Sequence, residues 1–305
     1  MAHATRAVRR GVSPGQIETL HAGRPGRFEP AQEIPARVTR RAGETSLNEE
    51  GIMKIGIIGI GNIGGTLARR LKAAGHDVRV ANSKGTEGVR PFADEIGAAA
   101  VDVRGAVDGV DAIVLAIPLP AIANLPPHLL DAVPAHVPVI DTSNYYPGLR
   151  DPRIPDIDGG MPESVWVSER LGRRVIKAFN TILADSLAEF GAPAGAPGRL
   201  AIAVAGDDDN AKRITMALVD AVGFDPVDAG SLDESWRQQP STPAYCCDWD
   251  APTMRDALAA AIVGDATAKR DRMPELFAKL GPAPSHDDII AMNRAANAVE
   301  GFRPR

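Results

Sequence analysis

Three glycines stand at a spacing suited to holding the phosphates of a dinucleotide. Gly59, Gly61 and Gly64 form a Gly-x-Gly-x-x-Gly motif directly after the apolar stretch 54–58. In such a motif the first glycine permits a tight turn, the second lets the backbone approach a pyrophosphate, and the third lets the next helix pack closely on the strand. The phosphates then meet N–H groups at the positive end of that helix. The motif therefore predicts a pyrophosphate site.

The residues around the motif fit a strand, a helix and a second strand. Apolar residues recur at helical spacing from 62 to 74, and Gly75 ends the pattern. A short strand is predicted over 76–81, which completes a unit of about the 30 residues expected of a dinucleotide-binding βαβ unit. The alternative is a glycine-rich turn that binds no nucleotide.

The end of the second strand indicates which dinucleotide binds. A protein that uses NAD usually carries Asp or Glu there, about 20 residues after the glycines, to bind the ribose 2′-hydroxyl. This chain instead has Asn82, Ser83, Lys84 and Thr86. All four side chains donate hydrogen bonds, whereas a carboxylate would repel a 2′-phosphate. We predict NADP(H) as the cofactor, and the alternative is an ordinary polar turn.

Composition narrows the classes of protein. The chain has 305 residues, of which 44% are hydrophobic and 24% charged, so it can bury a sizeable core. Its net charge of −5 argues against nucleic acid as a partner, and it has no apolar run of about 20 residues that would span a membrane. The two cysteines, Cys246 and Cys247, are adjacent, which favours a reduced, cytoplasmic protein. No Cys and His cluster has metal-ligand spacing, so no metal is expected.

Residues 1–52 differ from the rest of the chain. Residues 1–50 hold eight arginines, no lysine and no apolar period, and their six glutamates argue against a mitochondrial transit peptide. Met53 stands directly before the first strand. We predict that 1–52 is a disordered or misassigned N-terminal extension, and an endogenous peptide spanning Arg41 to Lys54 would contradict a start at Met53.

From Met53 onward strands and helices alternate, which predicts an α/β fold with a doubly wound parallel sheet of the Rossmann type. The expected domains are an NADP-binding domain over 53–230 and a small, mainly helical C-terminal lobe over 231–305. Further strands are predicted at 98–101, 111–117, 138–141, 174–178, 200–205 and 224–227. Further helices are predicted at 88–96, 181–190, 207–222, 253–263 and 287–299, with a polar stretch between the last two.

Five short segments together resemble one family, the NADP oxidoreductases that depend on the deazaflavin coenzyme F420. The set is more specific than any one member, and in chain order it comprises 57–64, the turn 81–85, Asp141-Thr142-Ser143-Asn144, Lys177-Ala178-Phe179-Asn180-Thr181, and 205–208. The resemblance covers about 53–250.

The resemblance implies roles for particular residues. It assigns the pyrophosphate to Gly59, Gly61, Asn62, Ile63 and Gly64, the 2′-phosphate to Ser83 and Lys84, and the flanks of the nicotinamide to Ala116, Ile117 and Pro118. Lys84 departs from the arginine of the family, which implies weaker phosphate affinity or a less strict preference for NADP because lysine lacks the bidentate fork. The resemblance also implies a homodimer formed through the C-terminal region.

No acid–base constellation is evident, so no catalytic side chain is predicted. Hydride transfer between NADPH and a flavin or deazaflavin needs two rings stacked closely, and the protein orients them. Asn144 and Asn180 are candidates for orienting amides in the cleft, with helix capping as the alternative. Lys177 is a candidate general acid for a carbonyl substrate, with a structural or surface lysine as the alternative.

Aromatic and cationic residues are further candidates for the acceptor site. Tyr145 and Tyr146 are expected either to stack on a ring or to be ordinary half-buried aromatics. Arg237 is expected either to bind an anionic group of the substrate or to fix the C-terminal lobe or a dimer interface.

Two classes of function follow from these residues. The first is an oxidoreductase that passes hydride from NADPH to a flavin, to coenzyme F420 or to another small acceptor, with a ketone or imine reductase as its variant. The second is a protein that senses NADP(H) by binding it without turnover.

Overall fold

The computed structural model describes residues 51–304. The predicted extension 1–52 therefore lies outside the described residues except for its last two. Within 51–304, no helix is long and apolar enough to cross a membrane.

A six-stranded parallel sheet forms the main body of the protein. Its strand order is β3-β2-β1-β4-β5-β6, the order of a Rossmann fold, which confirms the predicted fold class. The strands are β1 (Lys54–Ile58), β2 (Asp77–Ala81), β3 (Ala99–Ala100), β4 (Ala112–Leu115), β5 (Val139–Asp141) and β6 (Ile176–Lys177). Because the order reverses between β1 and β4, the carboxyl ends of these two strands border the crevice in which such sheets bind ligands.

Helices cover both faces of the sheet. The α-helices are α1 (Asn62–Ala73), α2 (Gly85–Ile96), α3 (Pro155–Asp158), α4 (Glu163–Leu171), α5 (Ala184–Glu189), α6 (Asp209–Ala221), α7 (Ala251–Ala260), α8 (Asp265–Arg270), α9 (Met273–Leu280) and α10 (His286–Ala296). Successive β1 residues serve opposite faces, because Ile57 packs in one core cluster with α1 and Ile58 in another with α4. Two 3₁₀ helices, Leu119–Asn124 and Asp233–Gln238, complete the connections.

A second, two-stranded parallel sheet is attached to the edge of the first. It pairs β7 (Ala201–Val204) with β8 (Asp225–Asp228). Lys177 of β6 and Ala205 exchange two backbone hydrogen bonds, with N···O distances of 2.8 and 3.0 Å, in an antiparallel bridge. The small sheet is thereby joined to β6 at its carboxyl end.

The C-terminal region is helical, as predicted, and α7 packs on β7 and β8 through Met254 and Ala257. The polar stretch between the last two predicted helices, for which the sequence predicts no helix, contains α8 and α9. Pro274 lies in the first turn of α9, where its missing N–H breaks no helical hydrogen bond, so it starts this helix instead of interrupting it.

Helix α4 lies in a segment for which the sequence predicts no helix. It buries Trp166 and Val167 but also the polar residues Glu163, Ser164 and Ser168. Polar residues on the buried face remove the apolar period by which an amphipathic helix is recognised.

Arg199 joins the small sheet to its surroundings and gives a test of this architecture. The residue is 4% exposed, and its Nη1 donates to the Asp220 Oδ1 at 2.7 Å and to the Asp225 Oδ1 at 2.8 Å. Replacing a paired, buried cation leaves several acceptors unsatisfied, so Arg199→Met should lower the free energy of unfolding by about 3 kcal/mol in urea titrations. Arg90→Met, which removes an exposed ion pair with Glu87, is the control and should leave the unfolding midpoint unchanged. Equal unfolding midpoints for both variants would contradict the role of Arg199 in joining the small sheet to its surroundings.

Candidate active site

The glycine turn, α1 and the end of β4 are in direct contact. Gly59 adopts φ of +100°, and its N–H donates to the Ala81 carbonyl at 2.8 Å. A Cβ on Gly59 would lie 2.3 Å from the Ala116 oxygen, and one on Gly64 would lie 2.0 Å from the Gly59 oxygen. Both glycines are therefore needed for this close packing.

Gly61 differs from its two neighbours in the motif because it borders open space. A Cβ placed on it would meet no atom within 4 Å, and the residue is exposed. It is the N-cap of α1 but offers no side-chain hydrogen bond to the helix. Asn62 and Ile63 begin the helix beside it. This helix end fits a pyrophosphate, because a phosphate can approach the bare backbone at the positive end of the dipole.

The turn after β2 presents donors and no carboxylate. The Asn82 Oδ1 accepts the Lys84 N–H at 2.9 Å, so this oxygen is engaged within the turn. Ser83 and Lys84 are exposed. Gly88 lies directly under the Lys84 stem, since a Cβ at that position would come within 2.3 Å of the Lys84 Cβ. The hydroxyl and the ammonium fit a phosphate at the end of β2.

The ends of β4 and β5 lie side by side. Ala116 and Ile117 are partly buried and Pro118 is exposed at the start of a 3₁₀ helix. Thr142, just after β5, donates both its backbone N–H and its hydroxyl to the Leu115 carbonyl, at 3.2 and 3.1 Å. The segment 142–144 is thereby tied to the strand end that leads into Ala116.

The two candidate amides meet, and a third amide joins them. Asn180 donates its Nδ2 to the Asn144 Oδ1 at 3.1 Å and to the Gln238 carbonyl at 2.7 Å. The Gln238 Nε2 in turn reaches the Asn180 Oδ1 at 3.0 Å. The capping alternative is wrong, because Ile154 and Leu183, and not the two asparagines, occupy the N-cap positions of α3 and α5. The sequence alone assigns Gln238 no role.

Lys177 lies in a buried charged cluster with two carboxyl groups. Its side chain is 0% exposed, and its Nζ lies 3.2 Å from the Asp141 Oδ2 and 3.8 Å from the Glu163 Oε2. The ammonium also donates to the Ser143 carbonyl. The surface alternative for Lys177 is therefore wrong, and its burial argues against proton donation to a bound substrate. Glu163 could not be identified from the sequence, because its helix has no clear apolar period.

The carboxyl groups in this cluster are in different surroundings. Asp141 accepts the Ser143 N–H at 2.9 Å and the Ser164 hydroxyl at 2.6 Å, in addition to the ammonium. The Glu163 Oε2 has no hydrogen-bond partner. Burial, together with the charge of Asp141 and only partly offset by Lys177, raises the pKa of Glu163 to about 7.

The predicted aromatic residues are placed differently from one another. Tyr145 is 0% exposed, and its hydroxyl accepts the Ile154 N–H at 2.7 Å, so it is a core residue and its stacking prediction is wrong. The hydroxyls of Tyr146 and Tyr245 contact each other, and burial raises the pKa of both. These phenols are therefore weak proton donors.

Arg237 makes its contacts within the C-terminal half of the chain. Its Nε pairs with Glu234 at 2.5 Å, and the guanidinium lies over the Trp236 ring at 4.3 Å. Its Nη1 lies 3.4 Å from the Leu258 carbonyl near the end of α7. These contacts favour the alternative in which Arg237 fixes the C-terminal lobe.

The chain is similar in sequence and fold to several known proteins. Residues 54–145 match the family described as NADP oxidoreductase coenzyme F420-dependent. The protein YjhV of Escherichia coli (strain K12) is 53% identical over 105 residues, which are 34% of this chain and 77% of that protein. The crystal structure of a hypothetical protein, SMa0349 of Sinorhizobium meliloti, is 33% identical, covers 62% of this chain and 89% of that one, and has a TM-score of 0.51.

The open space at Gly61 gives a test of the pyrophosphate site. Gly61→Ala should keep the wild-type melting temperature, because the new methyl group meets no atom, but should weaken NADPH binding about tenfold by blocking the phosphate. Gly64→Ala is the contrast and should lower the free energy of unfolding by about 1–3 kcal/mol through overpacking. Fluorescence titration with NADPH and thermal unfolding measure the two effects. Unchanged affinity in Gly61→Ala would contradict the site.

Glu163 should make stability depend on pH. Because its pKa is raised from 4.5 to about 7 on folding, its contribution to stability is complete below about pH 4.5 and is lost as the pH rises to about 7. Between pH 5 and 8 the free energy of unfolding should therefore fall further in the wild type than in Glu163→Gln, by about 3 kcal/mol at most. Urea unfolding at both pH values measures this. Glu169→Gln, an exposed glutamate on the same helix, should behave as wild type.

Proposed function

The chain belongs to the NADP oxidoreductase coenzyme F420-dependent family, and we propose that it transfers hydride between NADPH and a flat ring acceptor, a flavin or the deazaflavin coenzyme F420. Membership makes the chain one of the NAD(P)-dependent oxidoreductases. The identity of its acceptor is the part that we propose.

The proposal for the cofactor rests on three groups of residues. The bare backbone at Gly61 would hold the pyrophosphate, and Ser83 and Lys84 would hold the 2′-phosphate. The nicotinamide would lie against Ala116, Ile117 and Pro118, opposite Asn144. When bound, NADPH supplies the hydride, and the protein orients the ring and excludes water.

The observation that carries the proposal for a ring acceptor is the enclosure of the candidate proton donors. Lys177 is fully buried, and Tyr146 and Tyr245 bond to each other through their hydroxyls. A ketone or imine reductase needs a group that gives a proton to oxygen or nitrogen as hydride arrives. Hydride transfer between two stacked rings depends mainly on the distance and orientation of the rings. The reduced acceptor ring can take its proton from solvent, so no protein side chain is needed as a proton donor.

Two other functions are tested by the same experiment. A ketone or imine reductase is the variant that uses a small carbonyl or iminium acceptor. A sensor would bind NADPH without passing on hydride, since a fold by itself does not establish turnover. We also propose a homodimer and a cytoplasmic location, as the sequence predicts.

The first experiment follows NADPH oxidation by absorbance with coenzyme F420, FMN, FAD and small carbonyl compounds as acceptors. Turnover with a ring acceptor and little with carbonyls is the expected result. Turnover with carbonyl compounds alone would support the ketone or imine reductase instead. Tight NADPH binding without turnover on any acceptor would support the sensor.

The same assay tests the 2′-phosphate site. Lys84→Ala should raise the KM for NADPH about tenfold, the value of one charge-assisted hydrogen bond, and should leave the KM for NADH unchanged. Lys72→Ala is the control, because Lys72 lies in the last turn of α1, at the end opposite Gly61, and this variant should change neither KM. An equal effect of Lys84→Ala on both dinucleotides would contradict the assignment.

A further inference from the structure

Lys177 is tied to both sides of the predicted nicotinamide site. Its ammonium donates to the Ser143 carbonyl and pairs with the Asp141 carboxylate, whose other oxygen accepts the Ser143 N–H at 2.9 Å. The ammonium and the carboxylate therefore hold the same residue, Ser143, through its carbonyl and its N–H. Asn144 is the next residue in the chain, so these two contacts with Ser143 fix the position from which the Asn144 side chain extends.

The clamped segment is also joined to the neighbouring strand. Thr142 bonds twice to the Leu115 carbonyl, next to Ala116. Asn144 is therefore carried at the carboxyl ends of β4 and β5, on the side of the strand-order reversal away from β2. The predicted phosphate residues follow the carboxyl ends of β1 and β2, so a disturbance at Lys177 should not reach them.

The backbone of Lys177 holds the second amide. Its carbonyl accepts the Gln238 Nε2 at 3.3 Å, and Gln238 bonds to Asn180, which bonds to Asn144. Phe179, between Lys177 and Asn180, has φ of +61°, a left-handed conformation that costs free energy in a bulky residue and persists only where its surroundings enforce it. The side chain and the backbone of one residue thus fix both amides.

Stability alone does not explain this arrangement. Burying an ammonium and carboxylates loses hydration that their attraction barely recovers, so a well-packed apolar cluster of the same volume is often as stable. The charges do provide direction, since an ammonium can hold a carbonyl oxygen at a fixed place and an apolar side chain cannot.

We propose that Lys177 is a positioning residue for the nicotinamide end of NADPH: through Asp141 and Ser143 it fixes Asn144, without touching the cofactor or the acceptor. The inference rests on the proposed function only in requiring that the protein binds NADPH.

Binding of NADPH and of a fragment that lacks nicotinamide tests the proposal. In Lys177→Met, the affinity for NADPH should fall about tenfold, while the affinity for 2′-phospho-ADP-ribose should stay within about twofold of wild type. Where an acceptor is turned over, kcat should fall about 100-fold, as expected for a misplaced reactant, while the KM for that acceptor changes little.

Arg199→Met is the matched control, because it also removes a buried, paired cation but lies at the small sheet. It should leave the affinities for both ligands unchanged at a temperature where both variants are folded. Equal losses for NADPH and the fragment in Lys177→Met, or losses that Arg199→Met reproduces, would overturn the proposal.

A second variant covers the case in which Lys177→Met does not fold. Asp141→Asn with Lys177→Met removes both charges of the pair, so no unpaired carboxylate of Asp141 stays buried. The same selective loss of NADPH affinity supports the proposal, and wild-type affinity for both ligands overturns it. If the wild type binds NADPH but passes hydride to none of the acceptors, the proposed hydride transfer is refuted. The comparison of the affinities for NADPH and 2′-phospho-ADP-ribose still decides the role of Lys177.

Discussion

One ammonium group buried between two carboxyl groups determines how the central part of this structure is assembled. Lys177 comes from β6, Asp141 from β5 and Glu163 from α4. The charge on each of these three groups therefore affects how all three elements pack together. In an environment that screens charges poorly, one cation can balance one carboxylate, and the second carboxyl group tends to keep its proton. Asp141 has the closer contact with the ammonium and accepts additional hydrogen bonds, whereas the Glu163 Oε2 has no hydrogen-bond partner. This difference indicates that Glu163 is the protonated one.

The proposed phosphate half and the proposed nicotinamide half of the candidate site depend on different properties of the chain. The phosphate half depends on missing side chains, since Gly59 and Gly64 permit close packing and Gly61 leaves the backbone accessible. The nicotinamide half depends on side chains whose hydrogen bonds form a continuous network from Lys177 to Asn144. A substitution in the phosphate half therefore acts through the volume of the side chain that it adds. A substitution in the nicotinamide half acts by changing which hydrogen bonds orient the side chains.

The sequence was sufficient for the parts that follow from local rules. The glycine spacing and the alternation of strands and helices predicted the fold, which the structure confirms. The same glycines and the missing carboxylate after β2 are the basis for the predicted phosphate residues. The cluster could not be predicted, because Asp141, Glu163 and Lys177 are separated by 14 to 36 residues and meet only after the sheet is assembled. Helix α4 was missed for a related reason, since residues that serve the cluster are polar at positions that usually carry the apolar signal. Helix α9 was also missed, because it lies in a stretch that the sequence analysis described only as polar.

The neighbouring thiols Cys246 and Cys247 are buried where the segment after the second 3₁₀ helix meets α10, and burial raises the pKa of both, that of Cys247 to about 12. A thiol in this state reacts with an alkylating reagent only when the segment separates from its surroundings. The rate at which the two thiols are alkylated therefore measures how often this segment and the C-terminal helices open locally.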